Sequence, residues 1–152
     1  MRHLGLLVLR LILGGIFVIH GYPKFFGGPG KKETLPPGLL RHLGEGFVAQ
    51  MDRGSLGGYR ESMMRAGVPL PGVMGTISAA SQLGGGALLM LGWLTRPAAL
   101  SLAVNMVIAI WRVHWSKGMV GRMGYEFCLA LLAGCLALLF GGPGALSIDG
   151  EE

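Results

Sequence analysis

The chain has 152 residues, 51% of them hydrophobic and only 14% charged, where a soluble globular domain carries about 25% charged residues. Uncharged runs of 30 residues between Arg65 and Arg96, and of 22 between Glu126 and Asp149, exceed the roughly 20 apolar residues that a bilayer-spanning helix needs. These figures exclude a disordered chain, a disulfide-stapled domain and an ordinary soluble enzyme, and they predict one all-α integral membrane domain over residues 1–152. The net charge of +5 does not indicate a nucleic-acid partner, because the basic residues lie mainly between apolar segments rather than on one soluble, aromatic-bearing face.

The first apolar segment, residues 4–22, is interrupted by Arg10, has no A-x-A cleavage site, and runs into Gly21, Tyr22 and Pro23. It is expected to be a retained first span. The long connection that follows divides into a loop, Phe25 to Gly38, and a stretch over residues 39–66. There Leu40, Leu43, Phe47 and Met51 recur at steps of three or four, followed by Tyr59, Met63 and Met64. The spacing predicts one or two amphipathic helices inserted between spans one and two, lying on the bilayer surface or capping the bundle. A second span over 72–94 opens after Pro69 and Pro71 and stops at Thr95, Arg96 and Pro97. A third covers 98–115, with Pro97 suited to its first turn, and a fourth covers 124–140, closed by Gly141, Gly142 and Pro143. A four-helix membrane bundle follows, since only structures that satisfy their own backbone hydrogen bonds survive in hydrocarbon.

Lys and Arg set the expected orientation. Lys24, Lys31, Lys32, Arg41, Arg53, Arg60 and Arg65 lie in the long connection, and Arg112, Lys117 and Arg122 around the third-to-fourth turn. The opposite side holds Arg2 and Arg96 with the acidic Asp149, Glu151 and Glu152. The connection is therefore expected in the cytoplasm, with both termini outside it.

Up-and-down topology brings His20, Lys24, Arg112, His114 and Glu126 toward one membrane face. Ionisable groups near hydrocarbon need partners or solvent, and the expected pairing is Glu126 with Arg112 or His114. A His beside a carboxylate carries protons near neutral pH, which makes His20, His114 and Glu126 the candidate catalytic groups, with Lys24 and Arg112 attracting an anion. Snorkelling to the headgroups plus one structural ion pair explains the same residues without chemistry. Deeper in the bundle, Arg10, Gln82 and Asn105 enter from the other side to similar depth, and the two amides are expected to satisfy the Arg10 donors. This layer is either a packing clamp or the floor of a polar substrate pocket.

Small residues on span two (Gly75, Ser78, Ala79, Gly85, Gly86) and span four (Ala130, Ala133, Gly134, Ala137) are expected to let helices approach closely. Cys128 and Cys135, seven residues apart, are about 10.5 Å apart along one helix and cannot bridge; they are expected to be apolar fillers. Trp93, Trp111 and Trp115 are placed as interface anchors. No metal-ligand set is apparent.

The run LRLILGGIFVIHGYPKFFGG from Leu9 to Gly28, Ala66-Gly67-Val68-Pro69, GGGALLMLGWLTRPAAL from Gly84 to Leu100, the His114 region, and GYEFCLALLAG followed by GGPGALSID together resemble the DoxX/DoxD-like membrane proteins over nearly the whole chain. The matching positions are Arg10, His20, Gly21, Lys24, Arg96, His114 and Glu126; Gln82 stands where that pattern leads one to expect an acidic residue. The resemblance implies a four-helix inner-membrane protein associated with sulfur and thiol redox chemistry. Some members resemble the membrane subunit of a thiosulfate:quinone oxidoreductase, and others act as membrane partners of thiol-oxidant resistance enzymes.

Two functions compete on this footing. One is an oxidoreductase subunit passing electrons from a reduced sulfur anion to a quinone held near the interface, without haem or iron-sulfur ligands of its own. The other is a non-catalytic membrane partner that docks a soluble redox enzyme through the Leu40, Leu43 and Phe47 face. A homo-oligomer fits either, and a transporter is less favoured because no inverted repeat is evident.

Overall fold

A computed structural model describes residues 2–121 and 123–150. Arg122, Glu151 and Glu152, which enter the orientation argument, lie outside the described residues. The described residues form helices and connecting turns, with no strand among them. Helix α1 is Arg2–Phe26, α2 Pro37–Arg53 and α3 Leu56–Arg65. Helix α4 runs Pro71–Leu91 and α5 Thr95–Lys117, and α6 is Glu126–Gly141.

Helices α1, α4 and α5 are each long and apolar enough to cross a bilayer. They cover the first three expected spans, with ends shifted by one to four residues. α1 passes through Pro23 and closes only when the Pro23 carbonyl accepts the Gly27 N–H at 2.8 Å. α4 ends earlier than expected because Gly92 adopts φ 65°. There the Trp93 N–H returns to the Leu88 carbonyl at 3.0 Å, a left-handed cap that Gly takes without a Cβ penalty. The fourth expected span forms α6, whose 16 residues rise about 24 Å, less than the roughly 30 Å of a hydrocarbon core. The amphipathic stretch forms α2 and α3, and α2 is broken at Gly44, where φ is 80° and ψ 170°.

The helices group into two compact units, one made of residues 1–17 and 84–152, the other of residues 18–83. The core of the first unit is Leu13, Phe17, Leu89, Ala98, Ala99, Leu102, Ala103, Met106, Leu131, Cys135 and Leu138. Its small residues act as expected: a Cβ on Gly134 would stand 2.7 Å from Leu13 Cδ1, and one on Gly85 3.3 Å from Leu102 Cγ. Cys135 is fully buried, Cys128 partly so, and both are free thiols. Leu100, Val104, Val107, Phe127 and Phe140 point outward, an apolar surface of the kind lipid covers. Trp93, Trp111 and Trp115 are exposed at helix ends, where interfacial tryptophans belong.

In the second unit, Phe47 and Met51 are 7% and 1% exposed. The face of α2 expected to dock a partner is therefore turned inward at its C-terminal half, because these two residues supply much of this unit's apolar interior. Helix α3 lies against the start of α4. Arg60 donates from Nε (3.0 Å) and a terminal nitrogen (2.7 Å) to Thr76 Oγ1, and a Cβ on Gly75 would come within 3.1 Å of Arg60 Cγ.

Arg10 is 1% exposed inside the first unit. The expectation that amides satisfy it is corrected. Its terminal nitrogens donate to the carbonyls of Pro143 (2.8 Å), Ala145 (3.3 Å) and Leu146 (2.9 Å), in the segment after α6. That segment is also held by the Ala145 N–H to the His3 carbonyl at 3.1 Å and the Asp149 N–H to the Gly92 carbonyl at 2.9 Å. The Asp149 carboxylate accepts the N–H groups of Leu94 and Thr95, both at 2.8 Å. It thus caps α5 from 54 residues downstream and places negative charge at the positive end of the helix dipole. These bonds hold Leu94 at φ 49° and Leu146 at φ 51°, left-handed conformations that cost a non-glycine residue about 1–2 kcal/mol.

Partial desolvation opposes ionisation of Asp149, but the Thr95 and Leu94 hydrogen bonds and the Arg10 charge outweigh it, holding the carboxyl below the usual carboxylate range. A folded-state value depressed in this way stabilises above the unfolded value of about 3.9, and that stability is lost as pH falls through the folded value. Hydrogen-exchange protection of the Leu94 and Thr95 amides is expected to hold from neutral pH to about 4 and to fall below it. In Asp149→Asn the protection should be low and insensitive to pH.

Candidate functional site

His20 and Lys24 are four residues apart on α1, and Ser78 and Gln82 four apart on α4, so each pair shares one face of its helix. In the second unit these residues form one polar cluster with Tyr59 of α3 and Gln50 of α2. Lys24 Nζ donates to Gln82 Oε1 and lies 4.0 Å from the centroid of the Tyr59 ring. The Tyr59 hydroxyl and Ser78 Oγ are 2.8 Å apart, and the His20 side chain hydrogen-bonds Gln50. Burial pushes the Tyr59 phenol up, against the opposing pull of the Ser78 hydrogen bond, so the hydroxyl keeps its proton at neutral pH.

Two local features build this cluster. Gln82 sits in a π-helical turn, Ser81–Gly85, a one-residue widening of the helix that is frequent at functional sites. At Gly21 the α1 backbone meets α4 so closely that a Cβ would stand 2.6 Å from Leu83 N and 2.8 Å from Leu83 Cα. Glycine is what allows Lys24, one turn on, to reach Gln82.

The other candidates lie in the first unit. Arg112 and His114 fall in a second π-helical turn, Ile110–His114. Arg112 is exposed, its guanidinium 5.1 Å from the centroid of the Trp111 ring. His114 Nδ1 is 2.7 Å from the Met123 carbonyl. A carbonyl only accepts, so Nδ1 carries a hydrogen in this contact. Glu126 is the exposed first residue of α6, and its backbone N–H is taken by the Met119 carbonyl at 3.1 Å.

The expected Glu126 pairing is corrected. Among the described residues Lys32 pairs with Asp52 and Arg65 with Glu61, and Glu126 forms an ion pair with neither Arg112 nor His114. The reason is local: His114 turns to the Met123 carbonyl, and Glu126 occupies the N-terminal turn of α6, where a carboxylate is favoured without any partner. Asn105 is buried in α5 within the first unit. Tyr59, Ser78, Gln50 and Asp149 are the polar groups that sequence reasoning did not assign to a site. For Ser78 and Tyr59 a signal existed, since Ser78 shares a helix face with Gln82 and Tyr59 is an aromatic residue in the basic connection.

Apolar spanning helices with lipid-exposed side chains and a few enclosed polar groups define a multi-pass helical membrane protein. Residues 5–115 match the DoxX family model, and the chain belongs to the DoxX family. The match contains Arg10, His20, Lys24, Gln82, Asn105, Arg112 and His114 and stops short of Glu126. A relative in Bacillus subtilis (strain 168), named "Putative oxidoreductase CatD", is 29% identical over 135 residues, covering 89% of this chain and 78% of its own length. No solved structure matches the chain.

Proposed function

We propose that this DoxX protein is the inner-membrane subunit of an oxidoreductase that passes electrons from a small reduced sulfur compound to quinone, working at the Lys24 cluster. The observation that carries the reading is the Lys24 amine with its two uncharged partners, Gln82 and the Tyr59 ring, beside His20 at one end of an apolar helix. The oxidoreductase name of the Bacillus subtilis relative supports the reaction class. In this reading α6 is a fourth span, α2 and α3 face the cytoplasm, and both ends of the chain lie outside it, as the Lys and Arg distribution favours.

A quinone, when bound, supplies the two-electron acceptor. Its fit here rests on donor chemistry, the one spare Lys24 N–H for a carbonyl oxygen, which the sulfur compound and the quinone would occupy in turn. His20 is the group in the cluster suited to moving protons near neutral pH. His114 and Glu126 are the secondary candidates for proton exchange with solvent, and Arg112 for drawing an anion to the surface.

The test is purification in mild detergent, extraction for bound quinone, and quinone reduction with thiosulfate, sulfite and small thiols as donors. Donor-dependent reduction is expected, falling at least about tenfold in His20→Ala and about a hundredfold in Lys24→Met. His114→Ala and Glu126→Gln should cost less. No reduction with any donor overturns the reading.

A second reading has its own observation. A groove of about 570 Å³ runs along α2, lined by Pro37, Leu40, Arg41, Gly44, Glu45, Val48, Ala49 and Asp52. It favours a non-catalytic membrane partner that seats a soluble redox enzyme there. That reading expects Leu40→Glu to abolish association while Lys24→Met leaves the partner's activity intact.

A further inference from the structure

The Lys24 amine is held by partners that carry no negative charge. Gln82 Oε1 takes one N–H as a neutral dipole, and the Tyr59 ring, 4.0 Å from Nζ to its centroid, offers a π face. Neither ion pair among the described residues includes Lys24. An ammonium has three donors, and these two contacts leave one N–H over. The residue as a whole is of intermediate exposure. Two hydroxyls, Tyr59 Oη and Ser78 Oγ, lie 2.8 Å apart beside the same ring.

Charge removed from water is stable only when it is paired or well hydrogen-bonded. This cluster has the amine, the spare donor and neighbouring hydroxyl groups, and lacks the counter-charge. We propose that the Lys24, Gln82, Tyr59 and Ser78 cluster is a binding site for a compact oxyanion, whose charge stands in for the carboxylate the site does not have. Gln82 is the determinant. Its neutral amide orients the amine without neutralising it, whereas a carboxylate on the same atoms would pair with Lys24 and shut the anion out. The identification of the oxyanion as a substrate rests on the oxidoreductase reading above; the binding itself does not.

Two sources present this chemistry, a free sulfur oxyanion and the phosphate of an anionic lipid headgroup. The experiment is thermal unfolding of the full chain in uncharged detergent, with sodium thiosulfate, sodium sulfate or sodium chloride at matched ionic strength, and separately with phosphatidylglycerol added to the micelles. Wild type is expected to gain stability from thiosulfate and sulfate beyond the chloride control. In Gln82→Glu the protein should unfold at a higher temperature without added anion, and its apparent dissociation constant for the oxyanion should rise at least about tenfold. Lys24→Met should lose the same response, and Gln82→Glu, which adds an ion pair, keeps the test readable should Lys24→Met not fold.

A response to phosphatidylglycerol alone assigns the site to a lipid phosphate. Equal responses to chloride and the oxyanions, with none to the lipid, overturn the proposal, as does an undiminished response in Gln82→Glu. Oxyanion binding without quinone reduction leaves the site standing and removes the oxidoreductase reading. Quinone reduction without oxyanion-specific binding does the reverse.

Discussion

Arg10→Leu is expected to release the segment after α6 and to lower the stability of the protein in detergent by about 2–4 kcal/mol, from hydrogen bonds to a charged donor worth roughly 1.5–3 kcal/mol each. The full sum is not expected, because removing the guanidinium also removes its desolvation cost. The carbonyls of Pro143, Ala145 and Leu146 lose their partner together. Residues 142–150 should then become the first site of protease cleavage. Arg10→Lys is the informative companion. Its single ammonium cannot span three carbonyls as a planar fork does, so it should recover only part of the loss. Gly92→Ala strikes the same joint from the other side, since a Cβ there would meet the guanidinium at a residue with φ 65°. If Arg10→Leu unfolds like wild type and the segment stays protected, the clasp is held by the backbone bonds and Asp149 alone.

The way Arg10 is satisfied shows where sequence reading reaches and where it stops. An arginine inside an apolar run must face protein, and that much is legible from residues 4–22. Its partners are not, because they are backbone carbonyls brought in by turns at Gly142, Gly144 and Leu146, and a carbonyl has no letter in the sequence. Asp149 is hidden for the same reason: it looks like part of an acidic tail until the chain folds back on Leu94. The spanning helices were legible because composition over about 20 residues decides them. Their ends were less so, being set by single residues such as Gly92.

The candidate site divides in the same manner. His20 and Lys24 were legible as polar residues at the end of an apolar helix, and Gln82 as a polar residue within one. That Gln82 serves Lys24 rather than Arg10 follows from the π-helical turn at Ser81–Gly85 and the helix crossing at Gly21. Neither leaves a periodic signal, since a turn widened by one residue looks in sequence like ordinary helix. The Glu126 pairing failed on a similar local term. The residues between His114 and Glu126 form their own hydrogen-bonded turn, including Tyr125 N–H to Gly118 carbonyl at 3.3 Å, and that turn rather than charge decides where the two side chains go.

Gly21→Ala should therefore be the costliest single methyl group in the polar cluster. Helix propensity alone favours alanine over glycine by about 1 kcal/mol, and Gly15→Ala, where no atom lies within 4 Å of the new Cβ, should show that gain. At Gly21 the Cβ would sit 2.6 Å from Leu83 N and 3.0 Å from the Gln82 carbonyl carbon. These are backbone atoms, so no rotamer relieves the overlap and the helices must part. Overpacking of this kind costs about 1–3 kcal/mol, enough to cancel or reverse the propensity gain. Parting α1 from α4 also draws Gln82 away from Lys24, so the oxyanion response should weaken even where the protein still folds. The same exchange made twice on one helix thus separates local preference from tertiary fit: detergent unfolding of the two variants should move in opposite directions. If Gly21→Ala instead stabilises as Gly15→Ala does and keeps the oxyanion response, the crossing is looser than the backbone contact implies, and the geometry that delivers Lys24 to Gln82 does not depend on glycine.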